Sequence, residues 1–449
     1  MSLLNADTIF ALATPPGMSA IAVIRISGDK ALQVPQLFDV AAGAVRTAKR
    51  VFLKEKNGTI IDDVMVLGFA APASATGEDV LEIHCHGSVA VIDDILSVLA
   101  KTEGFRAAEP GEFTRRALDN GKMDITAAEG LADLIEAETA MQRRQASAQM
   151  TGQLSRPVGF WRAEIARLLA HLEAIIDFAD EELPEALRQE IAADTAKLCA
   201  ELETALDDQR FGEIIRNGLS VVLAGTVNAG KSTLMNLLAG RQAAIVSDIE
   251  GTTRDVIEVR LTLSGVPVRL ADTAGLRETA DSIEAEGISR AQTEINTADL
   301  VLLVIDGSQP GWGAIADKMR QDFHPPCLII ASKSDKGQVA ADNLDSNAYL
   351  SVDLTTTKTA QKIEKALHSY LAPLNQASQT PIITRARHRD AFAAALASLQ
   401  HSQTLSWEGD IAVIAEDYRR AASALGRITG HIDVEYLLDH IFSRFCIGK

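Results

Sequence analysis

Three textures of apolar and polar positions follow one another along the chain. From residue 7 to about 120, short apolar runs alternate with turn residues. Residues 20–26 (Ala-Ile-Ala-Val-Ile-Arg-Ile) read as a strand ended by Ser27-Gly28, residues 64–69 and 79–84 read as two more, and a helix is predicted over 89–101. From about 121 to 213, Gly and Pro become rare and Ala, Leu, Glu and Arg dominate. There Leu168, Leu169, Leu172, Ile175 and Ile176 recur at helical spacing, and Pro184 marks a new helix start after Asp180-Glu-Glu-Leu. Strand and helix then alternate again, with apolar runs at 220–224, 266–271, 300–305 and 327–331, before a last helical stretch over 380–449. The pattern predicts a multidomain chain, α/β plus all-α: an α+β N-terminal domain over 1–120, a strand-and-helix domain over 216–375, and a discontinuous helical domain split between 121–215 and 376–449.

Composition narrows this picture. A chain of 449 residues allows roughly three domains, and 47% hydrophobic with 23% charged residues is ordinary for a soluble globular protein. No apolar run approaches the ~20 residues a bilayer span needs, so no membrane partner is expected. Lys and Arg first appear at Arg25, which leaves no basic stretch ahead of an apolar one, and the expected location is the cytoplasm. Cys85, Cys199, Cys327 and Cys446 are scattered without zinc-type spacing, as in a reducing compartment. A net charge of −18 argues against a protein that coats nucleic acid non-specifically. The local basic clusters Arg115-Arg116, Arg143-Arg144, Arg385-Ala-Arg387-His-Arg389 and Arg419-Arg420 are expected to be solvated helix faces.

Candidate chemistry begins at Gly225-Thr-Val-Asn-Ala-Gly-Lys-Ser232, which follows the apolar strand 220–224 and opens the helix 232–239. That is the context of a phosphate loop: backbone N–H groups of Asn228, Ala229, Gly230 and Thr233 would surround phosphates, Lys231 would pair with the β/γ oxygens, and Ser232 would offer a hydroxyl to Mg2+. Gly251-Thr-Thr-Arg-Asp255 supplies Thr253 as a second Mg2+ ligand in a switch loop. Asp272-Thr273-Ala274-Gly275 would hold the metal through water and meet the γ-phosphate. Ser332-Lys333-Ser334-Asp335 would recognise the base, with Asp335 accepting from guanine N1 and N2. Asn is usual where Ser332 stands, and Ser351-Val352 occupies the place of a usual Ser-Ala base-contacting pair. Together these predict a Ras-like P-loop G domain and a GTPase. Leu276 stands where a Gln commonly orients the attacking water, so another group must do so; Arg277, Glu278, Asp281, Glu284 and Glu286 are candidates that spacing does not separate. The run His84-Cys85-His86 is not read as a metal site, since alternate residues of a strand face opposite sides.

These motifs sit among others that resemble one family, the MnmE (TrmE) tRNA-modification GTPases, over essentially the whole chain. The blocks are Asp7-Thr-Ile with Ala13-Thr-Pro-Pro-Gly17 and Ile24-Arg-Ile-Ser-Gly28; Thr76-Gly-Glu-Asp-Val-Leu-Glu82; Pro110-Gly-Glu-Phe-Thr114 with Lys122-Met-Asp124; and the terminal Phe445-Cys-Ile-Gly-Lys449. The sequence departs from the family pattern at Val227, at Met18-Ser19 and over residues 83–87.

The resemblance implies an enzyme, a GTPase whose G domains dimerise around K+ held by Asn228, Ser247, Ile249 and Thr252, with Asp248, Glu250 and Gly251 also in the nucleotide-binding loop. Glu284 would act on the water. It implies a homodimer whose N-terminal domain binds a tetrahydrofolate derivative (5-formyl- or 5,10-methylene-tetrahydrofolate) through Arg25, Glu82, Lys122 and Lys449, with Cys446 as a reactive-thiol candidate. With the FAD-dependent partner MnmG (GidA), such a protein adds a carboxymethylaminomethyl group at C5 of the wobble uridine (U34) of certain tRNAs. Two other readings compete: a ribosome-assembly GTPase, and a nucleotide-gated interaction switch without chemistry of its own.

Overall fold

The computed structural model describes residues 7–41, 43–177, 185–208, 210–240, 258–263, 265–272, 292–337, 348–356, 358–376, 382–407 and 409–430, with 341, 344 and 448. The chain divides into two compact units: one of residues 1–132, 149–199 and 391–449, the other of residues 133–148 and 200–390.

The first unit holds a six-stranded sheet built from β1 (Thr8–Leu12), β2 (Ser19–Ser27), β3 (Lys49–Lys54), β4 (Ile60–Phe69), β5 (Val80–Gly87) and β6 (Phe105–Ala107), in the order β3-β4-β5-β2-β1-β6. All neighbours are antiparallel except β1 and β6. Alternation along β2 sends Ile24 and Ile26 into a core with Val64, Val66, Ile83 and Cys85. Ile92, Ile95 and Leu99 of the helix Val89–Ala100 cover that face. Arg25 points to the opposite face. There Ile9 and Ala11 of β1 pack with Phe113 of the helix Glu112–Asp119.

The strands expected at 20–26, 64–69 and 79–84 are β2, the second half of β4 and most of β5. β1, β3 and β6 were not singled out by their pattern: β6 is three residues long, and β3 alternates with charged side chains as an edge strand does.

The same unit contains long helices. Ser155–Asp177 buries Ile165, Leu168 and Leu172 and packs against Ile411–Thr429, which buries Ile414, Tyr418 and Leu425. Leu169, Ile175 and Ile176 flank that stripe half-buried. Trp161 meets Phe392 edge-on, with ring centroids 5.4 Å apart. The buried Tyr418 hydroxyl is bonded to Thr195 on the helix Glu185–Leu206, which begins just past Pro184.

The second unit holds a six-stranded sheet of β7 (Leu219–Gly225), β8 (Glu258–Leu263), β9 (Val266–Asp272), β10 (Leu300–Asp306), β11 (Cys327–Ser332) and β12 (Tyr349–Ser351), ordered β12-β11-β10-β7-β9-β8. Every pair is parallel except β8 with β9. A parallel sheet is covered on both faces, so its strands read as continuous apolar runs. β10 is buried at Leu300, Val301, Leu302, Leu303, Val304 and Ile305, with alternate residues entering two different cores. The helix Lys231–Ala239 covers one face with Leu234 and Leu238; the helix Trp312–Gln321 covers the other with Trp312 and Ala316.

The expectation of solvated basic faces fails at two of the four clusters. Arg116 is 8% exposed and donates to Glu78 (2.9 Å), to Glu112 (3.1 Å) and to the Asp7 carbonyl. Arg385 bonds Asp133, and Arg389 bonds Asp208 (2.6 Å), Glu213 (3.0 Å) and the Leu206 carbonyl. In each case acidic groups far away in sequence supply counter-charges, and only the fold brings them together. Arg143 and Arg144 are exposed as expected; Arg419 and Arg420 form exposed ion pairs with Glu416.

Candidate functional site

Two sites emerge, one in each unit. In the second unit the loop after β7 turns sharply. Gly225 has φ 137°, and a Cβ there would lie 1.9 Å from the Val304 carbonyl oxygen, so no side chain fits. Asn228 (φ 59°) and Gly230 (φ 100°) complete the loop with two more left-handed residues. Ala229 is wholly buried, whereas Val227 and Asn228 are exposed. The helix that opens at Lys231 therefore aims its first N–H groups into the loop, as an anion site requires.

Lys231 is 8% exposed, and its ammonium donates to the Gly225 (3.1 Å) and Thr226 (2.9 Å) carbonyls. A buried cation satisfied by loop carbonyls is positioned to meet a phosphate that enters the loop. The Ser232 hydroxyl donates to Asp272 at 3.3 Å, with Asp272 at the end of β9 and 5% exposed. This hydroxyl-plus-carboxylate pair beside the loop is the hard oxygen set that suits Mg2+.

The base-recognition segment follows β11. Ser332 has no exposed surface, and its hydroxyl lies 2.7 Å from the Ala229 carbonyl and 3.0 Å from the Ile305 carbonyl. Lys333 (φ 60°) donates to Asp306 at 2.7 Å. Burial raises the Asp306 pKa, but hydrogen bonds from Lys333 and Ser308 overcome this and hold it below its usual range. Asp335 is exposed in the short turn Ser334–Lys336. Val352 is buried and holds that turn through its backbone: its N–H donates to Ala331 and its carbonyl accepts from Ser334. The structure thus brings Asn228, Ala229, Gly230, Lys231, Ser232 and Asp272 together around one loop, with Ser332 behind it. Thr233 is exposed in the first helical turn. Ser247, Asp248, Ile249, Glu250, Gly251, Thr252, Thr253, Thr273, Ala274, Gly275 and Glu284 lie outside the described residues. Asp306 was missed; its signal was an acidic residue closing the apolar run of β10.

In the first unit, Arg25 and Glu82 face each other across β2 and β5, in register, and form a two-pronged ion pair of 3.1 and 2.9 Å. Arg25 also lies 6.0 Å from the Phe113 ring. Beside them is a cavity of about 220 Å³ lined by Arg25, Ala75, Thr76, Phe113, Thr114, Ala117 and Leu131. Asn120 donates to the Thr76 carbonyl, and an added Cβ at Gly77 would lie 3.3 Å from Lys122 Cγ, so the exposed Lys122 lies beside Gly77, next in the chain to the cavity-lining Thr76, and does not itself line the cavity.

The side of that cavity formed by Thr76 is braced by a polar network. The Ser27 hydroxyl contacts Thr76 and Glu78 (both 2.7 Å), Glu78 pairs with Arg116, and Glu112 bridges Arg116 to Arg106. Gly448 packs against the Leu12 carbonyl and Ala13, at the end of β1, while Ala11 pairs with Arg25. Lys449 and Cys446 lie outside the described residues. Phe113 was not singled out as a site residue, although it stands within the Pro110–Thr114 block.

The His84-Cys85-His86 run behaves as alternation requires. His84 contacts Glu82 (3.2 Å) and His86 contacts Asp62 (2.7 Å), while burial on the other face pushes the Cys85 thiol up to about 11.

Two family descriptions match the chain: "GTP-binding protein TrmE N-terminus" over residues 8–122 and "MnmE helical domain" over residues 125–446. Curated relatives named "tRNA modification GTPase MnmE" are similar across their whole length. The protein of Parvibaculum lavamentivorans is 47% identical over 99% of this chain and 100% of its own. Those of Rhodospirillum rubrum (43%) and Paramagnetospirillum magneticum (44%) have the same coverage. Among solved structures, the G domain of the T. maritima FeoB iron transporter aligns with 35% of this chain and 99% of its own, at 24% identity and a TM-score of 0.26.

Proposed function

The chain belongs to the MnmE (TrmE) family of tRNA-modification GTPases, and on that footing we propose that it hydrolyses GTP as a step in modifying the wobble uridine of tRNA. The observation that carries the reading is the phosphate-loop assembly: buried Lys231 at the mouth of a left-handed loop, with Ser232 and Asp272 paired beside it. In the proposed site Lys231 leaves its loop carbonyls for the β/γ oxygens. The loop N–H groups hold the phosphates in line, and Asp335 reads the guanine N1 and N2 donors. Ser232 and Asp272 would hold Mg2+, whose charge would offset that of the phosphates when bound.

The finer reading follows the family pattern. Asn228, exposed in the loop, would join Ser247, Ile249 and Thr252 around K+ between two G domains, and Glu284 would orient the water. The N-terminal cavity, with its Arg25–Glu82 pair and Phe113 wall, suits the flat polar ring system of a tetrahydrofolate derivative. At about 220 Å³ it falls below the ~300–1,000 Å³ of pockets that enclose a whole cofactor, which favours a site completed by a second protomer of a homodimer. With MnmG (GidA) the product would be carboxymethylaminomethyl-uridine at position 34, in the cytoplasm. Among the described residues no helix is long and apolar enough to cross a membrane.

The test is GTP turnover in K+ and in Na+ at matched ionic strength, for wild type and Glu284→Ala, alongside nucleoside analysis of tRNA from a deletion strain. Stimulation by K+ that is lost in Glu284→Ala while GTP still binds, together with loss of the modified uridine in the deletion strain, supports the proposal. Equal rates in both salts discard the cation mechanism, and intact modification in the deletion strain discards the tRNA role.

A further inference from the structure

We infer that Ser332 is a positioning residue that bonds the base-recognition segment to the phosphate loop and does not read the base, so that this protein selects its nucleotide without sensing purine N7. The inference rests on the GTPase reading above and deepens it.

The argument is one of donors and access. A serine hydroxyl carries a single proton. At Ser332 that proton has two backbone carbonyls within reach, Ala229 at 2.7 Å and Ile305 at 3.0 Å, and the residue has no exposed surface. Both acceptors are themselves buried: Ala229 is 0% and Ile305 2% exposed. A donor turned inward in this way is not available to an acceptor on the base. The groups of the segment nearest solvent are different in kind. Asp335 is exposed, and a carboxylate, which only accepts, suits the N1–H and N2–H donors of guanine. The Lys333 ammonium is engaged by Asp306 at 2.7 Å. Recognition in this segment therefore falls on the donor edge of the base, and its N7 acceptor meets no side-chain donor from Ser332.

The same geometry gives the hydroxyl its role. Ser332 and Ala229 are 103 residues apart, and their bond joins the loop that holds phosphates to the strand end that presents Asp335. Removing it should loosen the two halves with respect to each other. Any nucleotide that uses both halves should then lose affinity equally, whatever atom occupies position 7.

The experiment compares GTP with 7-deaza-GTP, whose ring carries C–H in place of N7, by equilibrium binding to the full chain with Mg2+. Wild type should bind the two within about twofold. Ser332→Ala should weaken both by roughly fivefold, the equivalent of one hydrogen bond of about 1 kcal/mol, and leave their ratio unchanged. Thermal melting in parallel separates this from simple destabilisation, which lowers the melting temperature without moving the affinity of the folded protein.

Wild type preferring GTP by tenfold or more would overturn the inference, as would a ratio that changes in Ser332→Ala. Unchanged affinities in the variant would overturn the positioning role. Failure of wild type to bind GTP at all would remove the nucleotide reading and this inference with it.

Discussion

The two sites are built on opposite plans. The nucleotide site is made mostly from one contiguous stretch, Gly225 to Ser232, whose chemistry is that of the backbone: left-handed residues, N–H groups at a helix start and a lysine held by loop carbonyls. The N-terminal site is made from side chains scattered over the sheet and its covering helix, with Arg25, Glu82 and Phe113 brought together by strand register. A backbone site tolerates almost any neighbour but no error in its glycines. A side-chain site tolerates change in any one wall but depends on each charge having its partner.

This contrast can be broken most severely at Lys231. Lys231→Ala should lower GTP turnover on the order of 10²–10³-fold, because a donor aimed at developing phosphate charge is lost; phosphate release assays check it. Binding of a tetrahydrofolate derivative, the ligand proposed for the other unit, should be unaffected.

Next in size is Gly225→Ala. Its Cβ would meet the Val304 carbonyl at 1.9 Å, and the cost should reach about 3 kcal/mol or more, read as a loss of cooperative unfolding stability in denaturant. Arg25→Ala should follow, lowering affinity for a tetrahydrofolate derivative about tenfold or more through loss of hydrogen bonds from a charged donor, measured by calorimetry, with GTP turnover unchanged.

The smallest effect concerns acid. Burial raises the Glu112 pKa, but the Arg106 hydrogen bond, the Glu109 N–H and the charges of Arg106 and Arg116 overcome this and hold it below its ordinary 4.5. A carboxyl depressed in the folded state stabilises fully above its unfolded value and loses that contribution as pH falls through the folded one. Stability of the N-terminal unit should therefore decline below about pH 4.5, and Glu112→Gln should flatten that decline in melts taken at stepped pH.

What could be read from the sequence follows the same division. The phosphate loop was legible because its residues are adjacent and each has a local reason: glycine where a Cβ collides, lysine and serine at a helix start. Four of the parallel strands, β7, β9, β10 and β11, were legible as largely apolar runs, whereas β12, three residues long, was not. Arg25 and Glu82 carried no such signal. They are 57 residues apart, and only the resemblance to a family, not spacing, joined them. The basic clusters at Arg116 and at Arg385–Arg389 were misread for a related reason. A charged residue on a helix announces solvent unless its counter-charge is close in sequence, and here the partners Glu78, Asp133 and Asp208 come from distant segments.

The bond between Ser332 and Ala229 also has a consequence for the order in which the protein is made. The phosphate loop leaves the ribosome about 100 residues before the strand that braces it, and a contact of such long range is slow to close. β7 also waits for its neighbour β10, whose first residue is Leu300. Until then the loop has its glycines but neither its brace nor Asp335, so the early nascent chain lacks the complete site through which a nucleotide would stabilise the fold. Once the fold has closed, the Lys231 ammonium is satisfied by its own Gly225 and Thr226 carbonyls, so the finished loop needs no nucleotide to be at rest.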